Sequence, residues 1–111
     1  MINNQKILYK FIQINYNVNW YHISYQYELS ENLMRRFKDK INWWYISSGQ
    51  KLSENFIKEF KNKIDWSYIS VRQILSENFI REFQDKVNWD LILRYQKLSE
   101  DFEEEFKHKI K

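Results

Sequence analysis

The sequence contains no cysteine, proline, alanine or threonine, and Gly49 is its only glycine. Without cysteine there is no disulfide, no thiol nucleophile and no thiolate metal ligand. The two histidines, His22 and His108, stand far apart in the chain, so neither a metal nor another cofactor is expected. No apolar run approaches the roughly 20 residues that a membrane-spanning helix requires. The start MINNQKILYK lacks the basic segment and apolar stretch of a secretion signal, so an intracellular, non-secreted protein without membrane contact is expected. What the chain has in quantity is aromatic side chains. Phe, Tyr and Trp make up 19% of its 111 residues beside 30% charged residues, enough apolar surface to build a core and to set disorder aside. The length suits a single domain. Ile, Lys, Asn, Tyr and Phe are abundant, the bias of an AT-rich genome, and against that background the regular reuse of Trp calls for a physical cause.

Trp20, Trp43, Trp66 and Trp89 are each 23 residues apart, and reading from each Trp aligns the rest of the chain without a gap. Ile23, Ile46, Ile69 and Ile92 follow in register, then Leu29, Leu52, Leu75 and Leu98. Ser30, Ser53, Ser76 and Ser99 come next, each with Glu directly behind it. Two aromatic-rich positions follow, at Leu33, Phe56, Phe79 and Phe102 and at Phe37, Phe60, Phe83 and Phe106, and the unit closes with Ile41, Ile64, Val87 and Ile110. At about 100° per residue, 23 residues turn through about six rotations and a further 140°, so equivalent apolar residues would spiral around one continuous helix. The helical phase must therefore be reset inside every unit.

Two sets of capping residues show where. Asn19, Asn42, Asp65 and Asn88 directly precede the Trp residues, and their side-chain oxygens suit free first-turn N–H groups. The serines supply a second cap, with the following Glu at the positive end of a helix dipole. Each unit reads as a helix from Trp43 to about Gln50, a tight turn, and a second helix from Glu54 to about Lys63, with Glu59 and Lys63 paired along its flank. Helices this short are marginal alone, so stacking must stabilise them. The expected fold is an all-α solenoid of four stacked 23-residue helix-turn-helix repeats: residues 20–42, 43–65, 66–88 and 89–111. Residues 1–19 form a degenerate capping half-repeat, read as helical, with the alternation Ile12, Ile14, Tyr16, Val18 leaving an extended stretch as the alternative. The position held by Met34, Ile57 and Ile80 becomes Glu103 in the last copy, as a polar cap requires.

The consensus W-x-x-I-S-x-x-Q-x-L-S-E-N-F-I-x-E-F-x-x-K-[IV]-[ND] resembles short tandem repeats in uncharacterised proteins of giant DNA viruses of the mimivirus group and of some phages. The likeness covers residues 20–111 and is most faithful over 66–88, while Tyr27 and Leu33 depart from it. The resemblance implies a helical repeat protein of viral origin, in host cytoplasm or virion, and carries over no catalytic residue.

Candidate functional residues are those the scaffold does not account for. The four periodic Trp residues are read as packing elements and Gln50, Gln73 and Gln96 as amides satisfying backbone groups of a nearby turn. The Ser-Glu pairs are caps rather than acid-base machinery. Trp44 occurs once, so Tyr21, Trp44 and Tyr45 form a candidate exposed aromatic patch of the kind common at protein interfaces. Arg35 and Arg36 belong to the densest basic cluster, with Lys38 and Lys40 beside them and Lys6 and Lys10 expected nearby. No nucleophile, metal or phosphate-loop signature is present, which argues against an enzyme. The favoured function is a protein-protein interaction scaffold, a viral accessory or host-factor-binding protein that is monomeric or weakly self-associating. Sequence-tolerant nucleic acid binding through the basic N-terminal half, or structural self-assembly, is the alternative.

Overall fold

The computed structural model describes residues 5–14 and 17–109. Among them are nine α-helices, one short 3-10 turn and no strand. After α1 (Gln5–Ile14) the helices come in Trp-initiated pairs: α2 (Trp20–Gln26) with α3 (Glu31–Arg36), and α4 (Trp43–Gly49) with α5 (Glu54–Glu59). α6 (Trp66–Arg72) with α7 (Glu77–Glu82), and α8 (Trp89–Tyr95) with α9 (Glu100–Glu105), complete the series. The Trp-initiated helices α2, α4, α6 and α8 pack on one another in chain order and form one layer; the Glu-initiated helices form the other. The body measures 53 × 24 × 19 Å with a radius of gyration of 16.2 Å, against about 13 Å for a compact chain of this length. The fold is an elongated helical solenoid. No described helix is long and apolar enough to cross a membrane.

Both sets of caps form. Asn42 Oδ1 accepts from the Tyr45 N–H at 3.0 Å and Asn88 Oδ1 from that of Leu91, while Asp65 takes both Ser67 and Tyr68. The Ser30, Ser53, Ser76 and Ser99 hydroxyls each accept from the N–H three residues on at 3.1 Å. The second helix is shorter than its sequence suggests. It stops at Glu59 rather than Lys63, with Phe60 leaving helical geometry at φ −111°, ψ 30° and tight turns following to Ile64. The periodic Trp holds the turns that follow: the Trp66 indole N–H donates to the Lys61 carbonyl at 2.9 Å, and Trp43 and Trp89 do the same to Lys38 and Gln84. The Glu59–Lys63 flank pair consequently does not form. Glu59 receives Arg35 of the preceding repeat at 2.8 Å, and Lys63 lies 3.9 Å from Asp39.

Each Trp ring lies over the second helix of its own pair: Trp43 is 4.9 Å from Phe60 between ring centres, Trp66 is 5.3 Å from Phe83, and Trp89 is 5.1 Å from Phe106. Met34, Ile46, Ile57, Ile69, Ile80 and Ile92 are fully buried between layers and neighbours. Residues 5–14 are helical, with Leu8 and Ile12 buried against the first repeat, so the extended alternative fails as far as Ile14. Tyr16 and Ile110 lie outside the described residues.

The chain reverses direction between paired helices without a single described residue of positive φ, Gly49 included. Helices that end without a left-handed residue leave last-turn carbonyls to be satisfied from elsewhere. Here the next repeat supplies the donor. Gln50 Nε2 donates to the Ser24 and Tyr27 carbonyls at 3.1 and 2.7 Å, and its Oε1 accepts from the Leu29 N–H at 3.0 Å. Gln73 donates to the Gln50 carbonyl and accepts from Leu52, and Gln96 serves the turn before it in the same way. The amides thus satisfy the turn of the preceding unit rather than their own. The Glu behind each cap also works across the interface: Glu31 accepts from both the N–H and the hydroxyl of Ser53, as Glu54 does for Ser76 and Glu77 for Ser99.

A third link runs through Ser24, Ser47 and Ser70, all fully buried, whose hydroxyls accept from the N–H of Asn42, Asp65 and Asn88. The small side chain also lets neighbouring first-layer helices approach closely. In the last repeat this position is Leu93 and the interface position is Glu103, so two of the links joining the other repeats are absent from that face. Ser47→Ala should lower stability by about 1–2 kcal/mol, the cost of a buried N–H at Asp65 left without its acceptor. Urea denaturation would measure this, and a change within experimental scatter would remove the link from the account.

Candidate functional site

The candidate residues divide between the two layers. Tyr21 and Tyr25 on α2, Trp44 and Tyr45 on α4, and Tyr68 on α6 lie together on the first layer. Their rings form a chain: Tyr21 and Tyr25 lie 6.0 and 5.2 Å from Tyr45, Tyr45 lies 4.8 Å from Trp44, and Trp44 lies 5.1 Å from Tyr68. Most of these contacts are edge-on, the arrangement aromatic pairs favour. Tyr21 is 63% exposed, Tyr25 57% and Trp44 49%, while Tyr45 and Tyr68 are half-buried beneath them. No phenol hydroxyl of the group, nor the Trp44 indole N–H, makes a hydrogen bond to another described residue, so apolar ring surface and free donors occur side by side.

Sequence reasoning placed Tyr21, Trp44 and Tyr45 together but missed Tyr25 and Tyr68. A signal for Tyr25 was present, since it follows Tyr21 by one helical turn. Tyr68 carried none, because its register position holds His22, Tyr45 and Leu91 in the other repeats and reads as scaffold. The patch fades along the array as Ser67, Val71, Asp90 and Arg94 take over its positions.

Arg35 and Arg36 lie in the second layer, away from the aromatic patch, and have different surroundings. The Arg35 guanidinium is committed to the scaffold: it pairs with Glu59, approaches Glu31 at 3.8 Å and covers the Phe56 ring. Arg81, its counterpart two repeats on, has its guanidinium pKa raised by the hydrogen bond to Glu105, with the charges of Glu105 and Glu77 adding to it against some desolvation. Arginine is charged at any ordinary pH, so the shift adds no pH dependence. Arg36 is different. It stacks over Tyr9 at 5.7 Å and, with Lys6 and Lys10, rims a groove of about 550 Å³ between α1 and α3. None of these three cations has a carboxylate at ion-pairing distance among the described residues.

A smaller cleft of about 400 Å³ lies between the turns that carry Gly49 and Ile74, with Ile74 almost wholly exposed where other repeats have Glu28, Lys51 and Lys97. Among the described residues no three His, Cys, Asp or Glu side chains gather as a metal site would require. Comparison of the chain with protein-family models, with characterised proteins and with solved structures finds no match.

Proposed function

We propose that the protein is a non-enzymatic interaction scaffold that binds a protein partner through the aromatic face of its first two repeats. The observation that carries this reading is the exposure of Tyr21, Tyr25 and Trp44 on helices whose other residues build the solenoid. Exposed Tyr and Trp with free donors are characteristic of binding hot spots, because they offer large contact area at little cost in side-chain entropy. The exposed rings of the patch all belong to the first two repeats, as in a recognition surface grafted on a periodic scaffold. Commitment of Arg35 to Glu59 takes from the basic cluster one of its cations and weakens the nucleic acid alternative. The likeness of the repeat consensus to viral tandem repeats, together with the AT-rich residue bias, supports an accessory or host-factor-binding role inside an infected cell.

The test is affinity capture of wild-type protein and a Tyr21→Ala/Trp44→Ala variant from cell extract, followed by titration of the recovered partner. Both substituted side chains are exposed and outside the buried core, so the helical content read by far-ultraviolet circular dichroism should be unchanged. Affinity should fall by about tenfold or more in the variant. Equal affinity for both proteins would show that this face does not bind.

A further inference from the structure

The second layer carries a ladder of ion pairs with one fixed direction. One register position holds Arg35, Lys58 and Arg81, and the next holds Glu59, Glu82 and Glu105. Each cation reaches forward over one interface to the acid of the following repeat, as Arg35–Glu59 at 2.8 Å, Lys58–Glu82 at 3.0 Å and Arg81–Glu105 at 3.0 Å. At the two ends of the series the signs are reversed. In the first repeat Arg36 stands where the others have glutamate, and in the last repeat Glu104 stands where the others have a cation.

Both reversed residues lie among charges of their own sign. Arg36 shares the α1–α3 groove with Lys6 and Lys10, above the apolar surface of Tyr9 and Leu33. Glu104 shares α9 with Glu100, Asp101 and Glu103, all exposed, and its only ion pair among the described residues is with Lys107 in the adjacent turn, where both side chains are largely in water. A cation at one end and an acid at the other, in the same two register positions that join the repeats internally, are complementary only between two molecules.

We infer that this chain associates head to tail with a second copy of itself, the acidic α9 of one molecule seating in the Lys6, Lys10 and Arg36 groove of the next. The contact pairs the ladder's two register positions with their signs exchanged, at a groove whose other wall is α1. A nucleic acid in the groove would account for Arg36 but not for Glu104, whereas a second copy accounts for both. The contact is heterologous, so it leaves a free groove at one end and a free α9 at the other and propagates into open chains. It uses neither Tyr21 nor Trp44, and is independent of the partner proposed above.

Sedimentation velocity of the intact protein over a range of concentrations tests this at about 0.01 M ionic strength, where the Debye length is roughly 30 Å, and at about 1 M, where it is roughly 3 Å. The average mass should rise with concentration at low salt and fall to that of the monomer at high salt. Arg36→Glu and Glu104→Arg should each weaken association by about tenfold, since each confronts like charges across the contact. Mixing the two variants should restore it, because the glutamate in the groove of the first then meets the arginine on α9 of the second as an opposite charge, while the unaltered groove of the second meets the unaltered α9 of the first. A variant that merely misfolded would not be rescued by mixing. A monomer at every concentration in low salt, or a mixture no more associated than its components, would overturn the inference. So would binding of a single-stranded oligonucleotide that Arg36→Glu abolishes, in a protein that stays monomeric without it.

Discussion

Gln50→Leu is expected to destabilise the protein by about 3 kcal/mol or more, although it removes no charge and keeps the side chain near its original size. The Gln50 amide is buried and is the hydrogen-bond partner of three backbone groups in the preceding repeat: the carbonyls of Ser24 and Tyr27 and the N–H of Leu29. Each such group left without a partner costs about 1–3 kcal/mol, and leucine satisfies none of them. Against a total stability of about 5–15 kcal/mol for a domain of this kind, the loss is large. Chemical denaturation should also show a broadened or split transition, because in a linear array the weakened junction separates the units on either side. Gln50→Glu provides the control. A carboxylate accepts from Leu29 but repels the two carbonyls, so it should recover little stability. A Leu variant within about 1 kcal/mol of wild type would mean that water replaces the amide and that the bridge is not what holds the repeats in register.

Ile80→Glu should be comparably severe and more localised. Ile80 is fully buried between the third and fourth repeats, at the register position that the fourth repeat fills with the exposed Glu103. The substitution forfeits about 2–3 kcal/mol of apolar burial and forces a carboxylate either to lose its charge or to open the interface. Opening is the cheaper course here, since α8 and α9 are attached to the rest of the array through this one junction. Hydrogen exchange read by mass spectrometry should show peptides from 89–109 losing protection while those from 20–64 keep theirs. Uniform loss of protection along the chain would show instead that the array unfolds as one unit.

Most of the architecture is legible in the sequence because equivalence is a one-dimensional property. The Trp spacing, the two caps and the buried Ile and Phe positions can be aligned without knowing where any helix points. Direction is not legible in the same way. Glu59 has Lys63 one turn ahead, and a helix wheel pairs them, but the helix ends at Glu59 and the cation that reaches it is Arg35, one repeat earlier. Glu31 likewise reads as a dipole partner of its own helix, whereas its carboxylate is aimed at Ser53. Spacings of 22 and 24 residues become contacts only when units of 23 are stacked, and no local rule distinguishes them from the same residue types acting within one unit. The aromatic patch shows the same limit. Trp44 stands out because it breaks the period, but Tyr68 keeps to it and shows its role only through the edge of the Trp44 ring.

The dependence of each of the first three turns on the glutamine of the next repeat gives the array an arrow in time. As the chain is synthesised, a newly made hairpin emerges with its bend unsealed and stays so until 23 more residues have left the ribosome and brought the next amide within reach. Maturation therefore trails translation by one unit throughout. A pause or truncation at any point leaves the most recent hairpin incomplete and all earlier ones finished.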